Sequence, residues 1–221
     1  CEETGADIEE VSKAIGMDSR IGSSFLKTSV GFGGSCFQKD ILNLVYISRS
    51  IGLEKVANYW EQVLTINEHQ RDRFAKKIKS LISTESLTTN VCILGWAFKK
   101  DTNDTRESAA IYVTDYLIKS NINLNVYDPK VKESQIYFDL NYINSNDINN
   151  RKSVSVYNNP LDCITNTNII AILTEWDEFK DYDWKKIYNK MIKPAYIYDG
   201  RNILDKKKIE SIGFNYIGLG R

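Results

Sequence analysis

The densest chemistry in the 221 residues lies in VGFGGSCFQKD, Val30 to Asp40. Gly31, Gly33 and Gly34 precede Cys36, and glycine permits positive φ and close approach of a ligand to the backbone. The stretch is not a phosphate loop, because no GK[ST] follows. Nor is it GxGxxG, because no strand precedes it and the third glycine is missing. The residues after Cys36 read as a helix, so the pattern places a thiol at a helix's opening turn. Unpaired N–H groups and the helix dipole there favour the nucleophilic thiolate. Asp40 lies four residues on, one turn later on the same face. Its carboxylate disfavours a thiolate by repulsion, yet can activate water against a covalent intermediate. Lys39 is an available counter-charge. The spacing is equally compatible with an ordinary buried cysteine behind a glycine-rich turn and a surface Asp40.

Little else in the composition competes with that segment. His69 is the single histidine, so a His-rich zinc site within one chain is excluded, and the metal expectation is none. His69 sits in NEHQRDR, Asn67 to Arg73, which reads as a solvated helix face. Cys1, Cys36, Cys92 and Cys163 show no CxxC and no paired spacing, and read as reduced thiols of an intracellular protein. Cys92 and Cys163 fall in apolar patterns and are expected to be buried packing. With 29 basic against 29 acidic residues, spread along the chain, there is no cationic footprint for nucleic acid or an acidic membrane. No apolar run approaches the roughly 20 residues of a membrane span, and no signal-peptide pattern is present. The chain starts at Cys1, within what reads as a helix, and is expected to be a piece of something longer.

Two periodicities position these residues. Up to about residue 85 the pattern is helical: Glu2 to Ile15 ending at Gly16, Gln38 to Ile51 ending at Gly52, and an uninterrupted Lys55 to Ile82. The last would reach roughly 40 Å, and its broad apolar stripe would either pack on another subunit or bridge two domains of one chain. From about residue 88, short apolar runs (Val91–Trp96, Leu124–Asp128, Val154–Tyr157, Ile169–Thr174, Ala195–Asp199, Phe214–Gly218) alternate with helical stretches. Those stretches are Ser108–Lys119, Asp162–Thr165, Trp184–Met191 and Asp205–Ser211. Such alternation predicts a doubly wound, mainly parallel α/β sheet, with ligands beyond the strands' carboxyl ends. That draws attention to Trp96–Lys100, Asp128–Lys130, Thr174–Trp176 and Asp199–Arg201. The Asn-rich stretch Asn141 to Asn150 has no clear period and is expected to be a surface loop.

The glycine segment, together with MDSRIGSSFLKTSVGFGGSCFQKD (Met17 to Asp40), GWAFKKDTNDTRES (Gly95 to Ser108), YDPKV (Tyr127 to Val131), TEWDEF (Thr174 to Phe179) and DGRNILD (Asp199 to Asp205), resembles the nucleotide-sugar dehydrogenases, the UDP-glucose/GDP-mannose dehydrogenase family. Within it the nearest resemblance is to the animal-type enzymes acting on UDP-glucose. The motifs occur in the family's order and cover nearly the whole chain. The resemblance implies a central helical dimerisation domain with the active-site loop, residues 1–87, and a C-terminal UDP-binding, Rossmann-like α/β domain, residues 88–221. The family's N-terminal NAD-binding domain lies outside the resemblance, so the chain alone is expected to lack most of the NAD pocket and not to turn over.

For the parent enzyme the resemblance implies oxidation of UDP-glucose to UDP-glucuronate with two NAD+, through a thiohemiacetal and then a thioester on Cys36. Asp40 matches the active-site aspartate that helps order the hydrolytic water. Lys99, next to Phe98, and Arg201 match groups contacting the diphosphate and uridine. Phe25 to Gly33, including Leu26, Lys27, Ser29 and Phe32, resembles the loop that wraps sugar and uridine. Arg20 resembles an arginine reaching into a neighbouring subunit's sugar site. Arg106, with Cys36, Phe37 and Lys39, would touch the cofactor. A cytoplasmic homodimer through the long helix, or a higher homo-oligomer, is implied.

Two acids have structural readings of their own. Asp104 with Glu107 has the form of a helix cap before Ser108. Asp128 ends a strand where dinucleotide folds place a ribose-binding acid, but YDP is equally a turn signal, and Asp128 is left outside the site. Two functional readings compete with the leading one. One is a sister dehydrogenase acting on GDP-mannose or a UDP-N-acetylhexosamine. The other is a non-catalytic nucleotide-sugar-binding or oligomerisation module in which Cys36 is merely redox-sensitive.

Overall fold

The computed structural model describes residues 1–82 and 90–221. Three helices come first: α1 (Ile8–Gly16), α2 (Phe37–Ser50) and α3 (Glu54–Ser80). The α/β part follows as β1 (Asn90–Leu94), α4 (Ala109–Lys119), β2 (Asn123–Tyr127), α5 (Glu133–Asn144), α6 (Asp147–Ser153) and β3 (Val154–Val156). It continues as α7 (Pro160–Ile164), β4 (Ile169–Ile172), α8 (Trp184–Lys190), β5 (Tyr196–Asp199), α9 (Lys206–Ile212) and β6 (Asn215–Gly218). The expected boundary at 87/88 lies outside the described residues.

The six strands form one sheet in the order β3-β2-β1-β4-β5-β6, with every pair parallel. This is the doubly wound order whose switch point falls between β1 and β4. All four residues of β4 are buried, as are Val91 to Leu94 of β1, because helices cover both faces of the sheet. All six strand expectations hold to within a few residues. Cys92 and Cys163 are buried as expected, and strand and helix bring their sulfurs to 3.0 Å as free thiols, a proximity their sequence spacing does not reveal.

α3 bridges the two parts. Its second half buries Phe74, Ala75 and Ile78 in the main core, where Phe74 stacks on Tyr198 with ring centroids 4.0 Å apart. Its first half packs with α2 around a smaller cluster of Ile41, Val45 and Ala57. Outside that cluster Tyr46, Ile47, Ile51, Val56 and Tyr59 remain exposed. No helix among the described residues is long and apolar enough to cross a membrane.

The structure corrects two sequence expectations here. The first helix begins at Ile8 rather than Glu2: Gly5 turns with φ +72° and Asp7 accepts the Glu9 N–H at 2.8 Å as N-cap, so Cys1 is not in a helix. Asn141 to Asn150 is not a surface loop but the junction of α5 and α6. Asn150 is fully buried and its amide donates to Asn141 Oδ1 (2.7 Å) and Asn144 Oδ1 (2.9 Å), while Ser145 turns left-handed between the helices. Polar side chains that satisfy one another internally carry no hydrophobic period to read.

At the strands' carboxyl ends one buried carboxylate gathers three loops. Asp128 Oδ2 accepts from the Trp96 and Ala97 N–H groups and Trp176 Nε1, and Oδ1 from the Lys130 and Val131 N–H groups, at 2.6 to 3.1 Å. The turn reading of Asp128 is the one its partners support. Asp128→Ala strands five donors and is expected to cost about 3 kcal/mol in urea unfolding. A loss under about 1 kcal/mol would mean that the loops hold without it.

Candidate functional site

The glycine loop lies where the helical part meets the sheet's carboxyl ends, and its glycines are there because of what they touch. A Cβ on Gly33 would come within 2.5 Å of the Glu107 carbonyl oxygen, and one on Gly200 within 2.3 Å of Val30. Gly34, with φ +86°, lies against the Phe98 ring and donates its N–H to the Arg106 carbonyl at 2.7 Å. The loop is thereby seated on Phe98, Arg106 and Glu107 of the segment after β1.

Cys36 is the N-cap of α2 and is exposed, and no side chain caps that helix. The N–H groups of its first turn therefore remain available to a ligand. The alternative of a buried packing cysteine does not hold. Ser35 Oγ stands 3.6 Å from the sulfur. Asp40 donates its N–H to the Cys36 carbonyl at 2.9 Å, so its carboxylate stands one turn along the same helix, and both Asp40 and Lys39 are exposed. Phe37 packs edge-on against Phe32 at 4.6 Å. Arg106 is exposed and forks onto Asp104 at 2.9 and 2.7 Å. That hydrogen bond is the main cause raising the guanidinium's pKa, and the Cys36 sulfur adds to it. Asp104 is lowered, chiefly by the same bond. The expected Asp104–Glu107 helix cap is corrected: Ser108 caps α4, accepting from the Ala110 N–H at 3.3 Å, because Glu107 takes a left-handed φ of +54° that ends the preceding turn.

Lys39, Arg106, Ser35, Tyr112, Phe138 and Tyr142 are among the residues that border a hollow of about 450 Å³ next to the Cys36 segment. A second hollow of about 420 Å³ is bordered by Phe25, Leu26, Lys27 and Ser29, with Arg73 opposite. Between the loop and the sheet stands Arg201, whose Nη1 donates to Ser29 Oγ at 2.5 Å and which is ion-paired with Glu175. Burial lowers its pKa, with Glu175 opposing that shift. Asp199 sets the turn that presents Arg201: it is fully buried and accepts from the Arg201 and Leu204 N–H groups and the Tyr216 hydroxyl, each at 3.0 Å. Burial raises its carboxyl despite those bonds.

The expected residues thus fall into neighbouring groups. Cys36, Phe37, Lys39, Phe32, Gly33, Phe98 and Arg106 gather around the glycine loop, and Ser29 joins Arg201. Lys99 is exposed, with its ammonium 5.5 Å from the Phe98 ring. Arg20 stands apart, exposed and hydrogen-bonded to Asp18 at 2.6 Å. His69 is exposed, as expected.

The reading of NEHQRDR as a solvated face is corrected, for Asn67 and Arg71 are buried. Asn67 clips the loop at both ends of one residue, accepting the Phe32 N–H at 2.8 Å and donating to the Phe32 carbonyl at 3.2 Å. Arg71 Nη2 donates to the Phe32 carbonyl (2.8 Å) and the Glu107 carbonyl (2.9 Å). The signal that could have found them is the helical spacing 67, 71, 74, 78, which continues the buried stripe of Phe74 and Ile78.

Comparison with known proteins places the chain in a family. Residues 1–69 match the central domain of the UDP-glucose/GDP-mannose dehydrogenase family, and residues 92–206 match that family's UDP-binding domain. The chain is 50% identical over 224 residues to UDP-glucose 6-dehydrogenase of Drosophila melanogaster, covering 100% of this chain and 47% of that protein. It is 47% identical over 231 residues to UDP-glucose 6-dehydrogenase 4 of Arabidopsis thaliana, covering 48% of it. The chain spans about half the length of the curated relatives it matches. A solved UDP-glucose dehydrogenase from Pyrobaculum islandicum superposes with a TM-score of 0.73 at 28% identity, over 99% of this chain and 44% of that one.

Proposed function

Since the chain belongs to the UDP-glucose/GDP-mannose dehydrogenase family, we propose that it is the thiol-bearing and nucleotide-binding part of an enzyme oxidising UDP-glucose to UDP-glucuronate in the cytoplasm. The observation that carries this is Cys36, exposed at the uncapped opening of α2 where the glycine loop meets Arg106.

One end of a nicotinamide dinucleotide, the rest of whose pocket is expected outside this chain, fits the donor set near Cys36: first-turn N–H groups, Lys39 and Arg106 suit a pyrophosphate or carboxamide oxygen. Two NAD+ bound in turn would each accept one of the two hydrides. Phe37 would pack beside it. The chain's own chemistry begins at the aldehyde level. Cys36 Sγ adds to C6, forming a thiohemiacetal, and loss of hydride turns this into a thioester. Asp40, one turn along α2, holds the water that cleaves the thioester, releasing carboxylate and restoring the thiol.

The substrate's other end is anionic, and Arg201 and Lys99 are the cations for its diphosphate. Phe25, Leu26, Lys27, Ser29, Phe32, Gly33 and Phe98 line the path from uridine to sugar. Arg20, free of the other groups, serves a neighbouring subunit's sugar site. The exposed Tyr46, Ile47, Val56 and Tyr59 are the dimer face along α2 and α3. Sedimentation of the full-length protein as a monomer would set that face aside.

The test is turnover by the full-length enzyme, with an expected two NADH per UDP-glucuronate. Calorimetry is expected to rank UDP-glucose above GDP-mannose by at least about tenfold in affinity. The reverse ranking would favour a sister dehydrogenase, and binding without NADH formation a non-catalytic module.

A further inference from the structure

Asn67 and Arg71 belong to none of the motifs that match the family's substrate or cofactor contacts, yet they are the most heavily engaged buried polar pair next to the thiol loop. Arg71 is 4% exposed, and one of its nitrogens serves two carbonyls from the two halves of the molecule: Phe32 in the glycine loop and Glu107 after β1. The guanidinium lies over the Tyr112 ring at 4.2 Å, and Tyr112 in turn donates to Glu107 Oε2 at 2.6 Å. Glu107 is thus held by backbone and side chain in a left-handed conformation that a non-glycine residue adopts only under constraint. Its neighbour Arg106 takes the Gly34 N–H, two residues before Cys36.

We propose that Arg71, with Asn67 beside it, is a positioning residue that registers the Cys36 loop against the Arg106–Glu107 backbone. This rests on the reading of Cys36 as the nucleophile of the second oxidation. The first oxidation, alcohol to aldehyde, does not use the thiol. The second needs the sulfur within bonding distance of C6 and Arg106 beside it. Lost register disturbs sugar and cofactor contacts that both oxidations share, but only the second also needs the sulfur at C6, so the second is slowed the more. A purely structural arginine, by contrast, would lower the folded fraction or loosen the site generally, with no preference for the second step.

The experiment uses the full-length enzyme with Arg71→Lys, which keeps the buried charge and aliphatic stem but ends short of where Nη2 meets the two carbonyls. Asn67→Ala, which unclips Phe32 and leaves the cation in place, is the companion variant. In single turnover with enzyme in excess, the first NADH phase is expected within about threefold of wild type and the second slowed by about tenfold or more, as for a misplaced reacting atom. Arg71→Lys is also expected to slow iodoacetamide labelling of the Cys36 peptide by about threefold, because Arg106 then stands further from an already accessible sulfur. Equal slowing of both NADH phases in both variants, or unchanged labelling of Cys36, overturns the proposal. If wild type forms no NADH from UDP-glucose, the functional reading fails by itself, and the labelling rate alone decides the clamp.

Discussion

Replacing Cys36 by serine in the full-length enzyme is expected to stop oxidation at the aldehyde, with UDP-glucuronate formation falling by more than about 10³-fold. The physical reason is the nucleophile's ionisation. Sulfur is intrinsically the stronger nucleophile and ionises far more readily than a hydroxyl, and a serine without an adjacent base does not ionise near neutral pH. Within this chain the single histidine, His69, is exposed on α3 and lies outside both hollows, so it is not that base. The thioester also matters to the second half of the cycle, because its carbonyl is more electrophilic than an ester's. The check is NADH stoichiometry with an aldehyde trap present. One NADH per trapped aldehyde is expected from the variant and two per glucuronate from wild type. Undiminished glucuronate from the serine enzyme would remove covalent thiol catalysis.

The second large effect is expected at a position with no side chain. Gly33→Ala puts a Cβ 2.5 Å from the Glu107 carbonyl oxygen and 3.0 Å from its carbonyl carbon. That backbone cannot yield, since Arg71 and Tyr112 hold Glu107 from two sides. The loop must move instead, and Cys36 is three residues away on the same short connection. A displacement of about 1 Å at a reacting atom is worth about a hundredfold in kcat, so kcat should fall by about that factor. The loss of stability should stay at about 1–3 kcal/mol. Gly52→Ala is the control. Gly52 shares a positive φ of +80° but a Cβ there meets nothing within 4 Å, so backbone strain is added without moving the loop. A Gly33→Ala enzyme with wild-type kcat would show that the seating of the loop does not set the sulfur's position.

What could be read from the sequence divides along physical lines. The six strands were legible because each is a short, mostly apolar run closed by turn residues, most plainly IIAILT at Ile169–Thr174, whose β4 is buried on both faces. The thiol segment was legible because three glycines before a cysteine mark a backbone in unusual contact. Arg71 and Asn67 were hidden because they are polar residues doing an apolar stripe's work: they occupy its spacing, but composition assigns them to solvent. The α5–α6 corner was hidden for a related reason. Asn141, Asn144 and Asn150 have poor helix propensity and hydrogen-bond one another, so neither propensity nor hydrophobic period announces the helices. The start of α4 was legible but its cap was misassigned, because Asp104 and Glu107 have a cap's spacing and only the left-handed backbone at Glu107 gives the role to Ser108.

Arg201 has a consequence of its own. It is already gripped by Glu175 and Ser29 and largely out of water. For the diphosphate proposed as its ligand, the cost of taking this cation out of water is therefore already met in folding. What opposes entry is the resident Glu175, which must release the guanidinium and stay close by as a like charge.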